Sequence, residues 1–284
     1  MKCFLCPNMC GVDRDIEEGL CHADNDMRIC RIAPHFYEEP PISGTRGSGA
    51  VFFSGCSMDC LFCQNHEISK AKVGKVFSPS LLAEELKKLV SCGVHNINFV
   101  TPTHFSHKIK ETLDIYRPPV PIVYNTSGFE RKEVVQSLLP YVDIFLTDMK
   151  YASSDLGQKY SSRKNYFENC LEATEVMVKE KPLLFDSDGL LKQGIIVRHL
   201  VLPTEIENSL NVIDLFADRW RDKAIFSLMS QFFPSYRSPI NRTLKPVEYK
   251  LCLNRLVERG IKDYFVQELS SATEFYVPSF DTTL

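Results

Sequence analysis

The sequence predicts an α/β protein built as a partial barrel of six strand–helix units, with a small cysteine-rich module at its N-terminus. From residue 49 onward, short apolar runs alternate with segments of helical periodicity, the pattern of a parallel sheet with right-handed crossovers. Residues 1–48 are instead rich in Cys, Pro and Gly and hold few periodic apolar segments. Six units are fewer than the eight of a complete barrel, so we expect an open barrel, with a doubly wound sheet as the competing architecture.

Each predicted unit pairs one apolar run with one helical pattern. The runs predict strands over residues 50–54, 97–101, 122–126, 144–148, 195–201 and 225–229, with a further short strand at 264–267. Apolar residues three and four apart predict helices over residues 79–92, 106–116, 131–139, 165–179, 208–221 and 246–259. Ser78 and Pro79 supply an N-cap and a first-turn proline, and Gly93 and Gly260 follow helix ends. We therefore divide the chain into a metal-binding arm, residues 1–48, and a barrel, residues 49–284.

Charge and hydropathy narrow the class of protein. The 284 residues include 33 Lys and Arg against 36 Asp and Glu, a net charge of −3, so the basic excess typical of nucleic-acid binding is missing. With 44% hydrophobic residues the chain can form a packed core. No apolar run approaches the ~18 residues that a bilayer span needs, and residues 1–6 contain no signal-like stretch. We expect a cytoplasmic protein that binds neither nucleic acid nor a membrane.

The cysteines are concentrated near the N-terminus. Eight of the eleven fall within the first 63 residues, at positions Cys3, Cys6, Cys10, Cys21, Cys30, Cys56, Cys60 and Cys63. In a cytosolic chain, dense cysteines with gaps of two and three residues are typical of metal binding or catalysis rather than of disulfides. The other three, Cys92, Cys170 and Cys252, lie on the apolar sides of predicted helices, so we expect ordinary core cysteines there.

A Cys-x3-Cys-x2-Cys loop directly follows the first predicted strand. Cys56, Cys60 and Cys63 can bind three irons of a [4Fe–4S] cluster, whose ligands are usually four cysteines, and no fourth cysteine follows closely. The fourth iron then has an open coordination position at which a ligand can bind. The alternative is a structural zinc site that borrows one N-terminal cysteine.

This loop, with Phe62 before its last cysteine and α/β units after it, resembles the signature of the radical S-adenosylmethionine (SAM) superfamily. The resemblance implies a partial (β/α)6 radical SAM barrel in which the open iron chelates the amino and carboxylate groups of SAM. One electron from the reduced cluster then cleaves SAM to methionine and a 5′-deoxyadenosyl radical. Within the superfamily, the chain resembles the branch of proteins like pyruvate formate-lyase activating enzyme, which make glycyl radicals. It lacks a cysteine-rich C-terminal extension.

The resemblance also implies which strand ends contact SAM. At the second strand many members have a Gly-Gly-Glu type motif, from which this chain departs with Thr-Pro-Thr. Asp148 and Lys150 resemble the Asp-x-Lys element of the activating enzymes and share one side of a strand. The residues implied as SAM contacts are Thr101, Thr103, Asn125, Ser127, Asp148, Lys150 and Arg198. There are alternatives to SAM binding. The segment around Asn125 also has the residue types of an ordinary strand-to-helix turn, and Asp148 and Lys150 could simply belong to a solvated loop.

Three further residues follow from strand geometry. Arg198 lies inside an apolar parallel strand, where a charge is costly unless paired, so we expect a carboxylate partner. His199 faces the opposite side if the strand is regular. Gln231, after the sixth strand, is expected at the substrate end of the barrel.

The N-terminal cysteines form a second candidate metal site. Cys3, Cys6, Cys10 and Cys21 provide four thiolates that suit Zn²⁺ or an iron–sulfur centre, and their spacing does not separate the two. Cys30 and His22 are possible substitutes for one ligand. A cluster there would relay electrons, whereas zinc would act as a staple or a docking element.

Our leading hypothesis is a radical SAM oxidoreductase that works under anaerobic conditions and abstracts hydrogen from a protein or peptide, by its likeness to the activating enzymes. Its cofactors would be a [4Fe–4S] cluster and SAM, and the electron would come from a low-potential donor such as flavodoxin or ferredoxin. One alternative is a radical SAM enzyme that acts on a small molecule. The other is a non-catalytic interaction protein stapled by zinc or an iron–sulfur centre.

Overall fold

The computed structural model describes residues 2–273 and residue 280. Its strands are β1 (Arg28–His35), β2 (Ser48–Phe53), β3 (Lys75–Val76), β4 (Ile97–Val100), β5 (Ile122–Thr126), β6 (Ile144–Asp148), β7 (Leu184–Phe185), β8 (Leu191–Leu200), β9 (Ile225–Met229) and β10 (Tyr264–Val266). The six predicted strands correspond to β2, β4, β5, β6, β8 and β9. The further short strand predicted at 264–267 is β10, so the alternating pattern identified every parallel strand.

The helices follow the predicted order with small shifts at their ends. They are α1 (Pro40–Ser43), α2 (His66–Ser69), α3 (Pro79–Ser91), α4 (Ser106–Ile115), α5 (Lys132–Leu138), α6 (Ser154–Ser161), α7 (Tyr166–Glu180), α8 (Ile206–Arg219) and α9 (Pro246–Glu258). The Ser78 hydroxyl caps α3 by accepting from the Leu81 amide, as its position before Pro79 predicts. The short helices α1 and α2 were not predicted because four residues make only about one turn, too short for a periodic pattern. The eight-residue helix α6 was not predicted either.

The strands form one sheet whose order follows the chain. Strands β2, β4, β5, β6, β8, β9 and β10 are parallel neighbours in that order, and the antiparallel strands β1 and β3 extend the β2 edge. A doubly wound sheet would reverse its strand order at a switch point, and this sheet does not. Its two edges, β3 and β10, are not paired with each other in the described part of the chain. The architecture is therefore the open, partial barrel that the sequence predicts.

Strand β1 belongs to the segment that the sequence assigns to the N-terminal module. It pairs with β2 from Ile29 opposite Phe53 to His35 opposite Ser48, with a register shift between Ile29 and Arg31. The shift interrupts the two-residue alternation that marks a strand in a sequence, so the strand was not predicted. The predicted boundary after residue 48 falls one residue inside β2, and β1, on its N-terminal side, is part of the same sheet.

The interior of the barrel is filled at one end by α1. Its Ile42 is 0% exposed and packs with apolar side chains of four barrel strands, among them Val123, Ile144 and Ile196. The Ile42 carbonyl accepts a hydrogen bond from Asn96 Nδ2 at 2.7 Å. This apolar plug leaves the opposite end of the barrel, where the parallel strands have their carboxyl ends, free for a cavity.

Two of the three outlying cysteines are core residues, and one is not. Cys170 and Cys252 are 0% exposed, as predicted. Cys92 is exposed, so its assignment to the core was wrong. It is the C-cap residue of α3, where the last turn rotates away from the apolar stripe.

Among the described residues, no helix is both long and apolar enough to cross a membrane.

The plug makes Ile42→Ala a test of this packing. We expect the substitution to lower the free energy of unfolding by about 2–5 kcal/mol, because it removes buried methyl groups and leaves a cavity. Urea denaturation of variant and wild type at equal metal content measures the change. Ile16→Ala is the control, since Ile16 is 84% exposed and its truncation should change stability by about 0.5 kcal/mol or less. Equal effects of the two substitutions would contradict the role of Ile42 as a plug.

Candidate functional site

A cavity of about 400 Å³ opens at the carboxyl ends of the parallel strands. The cysteine loop after β2 lines one side of it, and polar side chains of β5, β6 and β8 line another. Active sites of parallel α/β barrels lie at this end of the strands. The cavity also meets the chain between β1 and α1, which enters the barrel from the N-terminal segment.

All three cysteines of the loop line this cavity, and each sulfur has a polar neighbour. The Ser161 hydroxyl donates to Cys60 Sγ at 3.1 Å, and the Met58 amide donates to Cys56 Sγ at 3.4 Å. Cys63 Sγ lies 3.5 Å from the Ser69 hydroxyl. Hydrogen bonds to the sulfurs are one of the factors that set the reduction potential of an iron–sulfur cluster.

Burial favours the protonated form of the Cys56 and Cys60 thiols while no metal ion is bound. Burial, together with the nearby Cys63 and Cys60, raises the pKa of Cys56 to about 12. Burial also raises the pKa of Cys60, although the ammonium of Lys150 opposes this effect. Bound metal ions reverse such shifts, because a coordinated thiol is deprotonated outright.

The donor set fits a [4Fe–4S] cluster with three protein ligands. Three soft thiolates face one cavity, and the cavity leaves room beside them for a ligand on the fourth iron. Among the described residues, no group of three His, Cys, Asp or Glu side chains converges on a point where it could hold one metal ion. A cluster does not require such convergence, because each of its cysteines binds a different iron.

The cysteine loop is anchored to the N-terminal segment. The Cys56 amide donates to the Cys21 carbonyl at 2.9 Å, and Asn8 Nδ2 donates to the Ser57 carbonyl at 2.8 Å. Gly55 immediately precedes these contacts and has φ +86°, and a Cβ atom there would be 2.6 Å from the Cys21 oxygen. Only glycine fits this close approach at a left-handed backbone angle. The N-terminal segment therefore helps to define the conformation of the loop.

A network of charges centred on Arg198 forms the floor of the cavity. Arg198 Nε lies 3.0 Å from Asp148 Oδ1, and Nη1 lies 3.2 Å from Glu38 Oε2. Its Nη2 donates to Asn125 Oδ1 at 2.5 Å. The carboxylate partner predicted for Arg198 is thus found twice, once on β6 and once on the N-terminal segment.

Lys150 completes this network from the other side of Asp148. Its ammonium pairs with Asp148 Oδ2 at 2.5 Å. Burial alone would raise the pKa of Asp148, but the cations of Lys150 and Arg198 hold it below its usual value. Asp148 is therefore an ionised carboxylate shared by two cations. The side chains of Asp148 and Lys150 both face the cavity, as the alternation of the strand predicts.

A comparison of the sequence with protein-family models identifies the superfamily of the chain. Residues 50–217 match the family model described as the Radical SAM superfamily. The chain belongs to the radical SAM superfamily. A curated but uncharacterized protein of Methanocaldococcus jannaschii is 28% identical over an alignment of 264 residues that covers 89% of this chain and 73% of that protein.

Solved radical SAM structures share the fold at low sequence identity. A radical SAM methyltransferase from Sphaerobacter thermophilus matches with a TM-score of 0.57 and 13% identity, over 79% of this chain and 67% of that one. SuiB of Streptococcus suis, solved bound to its precursor peptide SuiA, matches with a TM-score of 0.52 and 10% identity. That match covers 76% of this chain and 48% of SuiB, so the chain spans about half of SuiB.

Most of the predicted SAM contacts of this radical SAM protein are brought together at the cavity, and one is not. Thr101, Asn125, Ser127, Asp148, Lys150 and Arg198 line it, and so does Gln231. Thr103 is absent from its lining and is 1% exposed. It begins a short 3₁₀ turn, Thr103–Phe105, and its hydroxyl donates to Glu130 Oε1 at 2.5 Å.

Glu130 explains why Thr103 turns inward. The Thr126 hydroxyl donates to the same carboxylate oxygen at 2.5 Å, and burial raises the pKa of Glu130 to about 7. Both hydroxyls donate to Oε1, whereas Oε2 is buried and has no hydrogen-bond partner among the described residues. Thr103 therefore holds the chain between β4 and α4 in place from inside the fold.

His199 has a structural position, as the alternation of β8 predicts. Its Nδ1 lies 2.7 Å from the Met149 carbonyl oxygen and its Nε2 lies 2.9 Å from the Ser209 hydroxyl. Burial lowers its pKa to about 4, so the ring is neutral at physiological pH. His199 thus joins β8 to α8 on the side of the sheet away from the cavity.

Sequence reasoning missed Glu38 and Glu39, which line the cavity beside Arg198. They lie in the segment between β1 and α1, which has neither strand nor helix periodicity. The signal that pointed to Glu38 was the unpaired Arg198, which required a carboxylate without saying which one.

The N-terminal cysteines lie in one small module. Cys6 and Cys21 are buried, and a Cβ atom on Gly19 would be 3.3 Å from Cys21 Sγ and 3.5 Å from Cys10 Sγ. Burial raises the pKa of Cys6 to about 12, with Cys21 and Cys3 also nearby. Cys30 belongs to a different cluster, where it packs with Phe52 and Ile68. A second metal centre at the four N-terminal thiols stays a prediction.

The contact of Gly55 with Cys21 predicts the effect of Gly55→Ala. The added methyl group must move the Cys21 carbonyl, so we expect fewer irons bound per chain after anaerobic reconstitution, measured by iron and sulfide analysis. Gly189→Ala is the matched control, because Gly189 also has a positive φ, +78°, but no heavy atom lies within 4 Å of its Cβ position. Strain alone costs about 1–3 kcal/mol at either site. Equal iron content in Gly55→Ala and Gly189→Ala would contradict the anchoring.

Proposed function

We propose that the protein is a radical SAM oxidoreductase, like the activating enzymes, that abstracts hydrogen from a protein or peptide. Bound at the cavity, the [4Fe–4S] cluster and SAM would supply the oxidising 5′-deoxyadenosyl group for this step. In balance, SAM, one electron and the substrate C–H give methionine, 5′-deoxyadenosine and a substrate radical. The observation that carries the proposal is that the three cysteines and the polar residues at the strand ends line one cavity.

The chain's own residues have separate tasks in this reaction. Cys56, Cys60 and Cys63 would hold the cluster, and the cations of Lys150 and Arg198 lie where the cavity can receive a carboxylate. Asp148 keeps both cations in place through its two oxygens. A positioned charge costs no reorganisation when a ligand binds, which is the advantage of a preformed network.

Apolar side chains around the cavity limit the access of water. Phe52, Phe62 and Val100 line it and are each less than 10% exposed. Phe62 also packs edge-on against Phe232 and Tyr160, with ring centroids 5.9 Å and 6.2 Å apart. Exclusion of water protects a reactive intermediate from side reactions.

The protein or peptide substrate is supported by two likenesses. The Asp-x-Lys element resembles that of the activating enzymes, and SuiB, which shares the fold, was solved with a precursor peptide. The electron would come from a low-potential donor such as flavodoxin or ferredoxin. A second metal centre at Cys3, Cys6, Cys10 and Cys21 would lie close to the cluster loop, since the Cys21 carbonyl accepts a hydrogen bond from the Cys56 amide.

The alternative is a small-molecule substrate. The charged floor of the cavity is compatible with it, because Arg198, Asp148 and Glu38 suit a small polar group as well as a peptide side chain. Membership in the radical SAM superfamily favours an enzyme over a non-catalytic stapled protein.

Replacement of the cluster cysteines tests this function. After anaerobic reconstitution with iron and sulfide, the wild type should form 5′-deoxyadenosine from SAM and dithionite. Cys56→Ala, Cys60→Ala and Cys63→Ala should each reduce product to background, because each removes one cluster ligand. Chromatographic quantification of 5′-deoxyadenosine measures the change.

Cys92→Ala is the control for loss of a thiol, because Cys92 is exposed and lies on a helix end outside the cavity. It should keep wild-type product formation. A fully loaded wild-type cluster that forms no 5′-deoxyadenosine, or cysteine variants as active as the wild type, would overturn the proposed function.

A further inference from the structure

The segment that joins β1 to α1 carries two adjacent carboxyl groups into the cavity. Glu38 and Glu39 both line it. The Glu38 amide donates to the Ser43 hydroxyl at 3.0 Å, and the Glu39 carbonyl accepts from the Ile42 and Ser43 amides at 2.8 and 3.0 Å. Because Ile42 is fixed in the apolar plug, the backbone that holds both carboxyl groups is rigid.

Glu38 is satisfied by the protein itself. Its Oε1 accepts from Asn98 Nδ2 at 2.8 Å and from Asn125 Nδ2 at 3.0 Å. Its Oε2 pairs with Arg198. Every oxygen of Glu38 therefore has a partner, and its role is to hold the floor of the cavity together.

Glu39 differs from Glu38 in this respect. Its Oε2 is buried and has no hydrogen-bond partner within the described part of the chain. The ion pairs of the nearby cations are made with other carboxylates, Arg198 with Asp148 and Glu38 and Lys150 with Asp148, although the charge of Arg198 also acts on Glu39. A buried carboxyl oxygen without a donor is costly, and such a group in a cavity is a binding site for a donor from outside.

The surroundings of Glu39 suit a cation. Ser227 is a neighbour of its carboxyl group, and Phe265 is the residue of β10 paired with Ser227. Phe265, Tyr37 and Phe52 line the same cavity as Glu39 and offer aromatic rings to a ligand bound there. A carboxylate among aromatic rings binds a cationic nitrogen through a charge-assisted hydrogen bond and cation–π attraction.

We propose that Glu39 binds the substrate, and that the bound group of the substrate is a protonated amine or a guanidinium. Since this group belongs to the substrate of the radical reaction, the assignment rests on the proposed function. The cation would come either from a side chain of a peptide or from a small molecule, and the chemistry of recognition is the same.

The protonation of Glu39 gives the assignment a signature. Burial and the neighbouring charge of Glu38 raise the pKa of Glu39, against the opposing influence of Arg198 and Ser227, so the neutral acid persists to higher pH than in a free glutamate. When a cation binds, the O–H bond of the acid breaks, the proton passes to the buffer, and the carboxylate pairs with the cation. Binding should therefore release up to one proton, and a purely structural glutamate would release none.

The test is isothermal titration calorimetry on the reconstituted protein with SAM bound. The probes are butylamine and butylguanidine with butanol as their neutral counterpart, and acetyl-Gly-Lys-Gly-amide with acetyl-Gly-norleucyl-Gly-amide as its counterpart. We expect at least one cationic probe to bind about 10-fold or more tightly than its neutral counterpart, a factor worth about 1.4 kcal/mol. Preference for the lysine peptide over butylamine would indicate a peptide substrate, and the reverse a small molecule.

Glu39→Gln keeps the shape of the side chain and removes its charge. It should weaken the cationic probe about 10-fold or more and abolish the proton release, which titrations in two buffers of different ionisation enthalpy measure. Glu133→Gln is the control, because the side chain of Glu133 is 55% exposed, and it should bind the probe as the wild type does.

Three results would overturn the assignment. They are a wild type without preference for any cationic probe, a Glu39→Gln variant that binds the probe as the wild type does, and an equal loss of SAM and probe affinity, which would assign Glu39 to SAM. Failure of the proposed function is a separate result, since it appears as a wild type that forms no 5′-deoxyadenosine, whereas calorimetry measures the cation site directly.

Discussion

The guanidinium of Arg198 is a charge placed inside a parallel sheet, and the arrangement of the whole cavity follows from how that charge is paired. Its side chain is 14% exposed, so water cannot replace its partners. It contacts Asp148 on β6, Asn125 on β5 and Glu38 on the N-terminal segment. Removal of one partner of a buried ion pair costs about 3–5 kcal/mol, because a charge is left uncompensated. One side chain thus joins three separate parts of the chain.

The N-terminal segment is consequently part of the active-site architecture. It contributes β1 to the sheet, the plug residue Ile42 to the barrel interior, and Glu38 and Glu39 to the cavity floor. Through the Cys21 carbonyl it also touches the loop that carries the cluster cysteines. The floor and the cysteine loop, on different sides of the cavity, are therefore positioned by the same fifty residues or so that precede the first parallel strand.

The parallel strands and long helices were predictable because each is long enough for its periodicity to appear in the sequence. The cysteine loop was predictable because ligand spacing is a local property, and Arg198 stood out as a charge in an apolar strand. The register shift of β1 and the aperiodic segment at Glu38 and Glu39 carry no local signal of their place. They are positioned by contacts with distant residues, which a single sequence does not reveal.

Thr103 and Cys92 show a second limit of sequence reasoning. Thr103 follows Thr101, whose φ of +58° redirects the chain, and its hydroxyl turns to Glu130 instead of the cavity. Cys92 continues the apolar spacing of α3 but lies in the capping turn, where it is exposed. In both cases the residue type fitted the expected role, and the backbone at the end of an element changed the direction of the side chain.

The central claim is that Arg198 couples the N-terminal segment to the barrel, and a double-mutant cycle tests it most directly. The free energy of unfolding is measured for wild type, Arg198→Met, Glu38→Gln and the double variant at pH 7 and equal metal content. We predict a favourable coupling of about 1–3 kcal/mol between the two side chains, as found for buried residues of one network. Effects that add to within about 0.5 kcal/mol would contradict the claim and leave the N-terminal segment as an independent module.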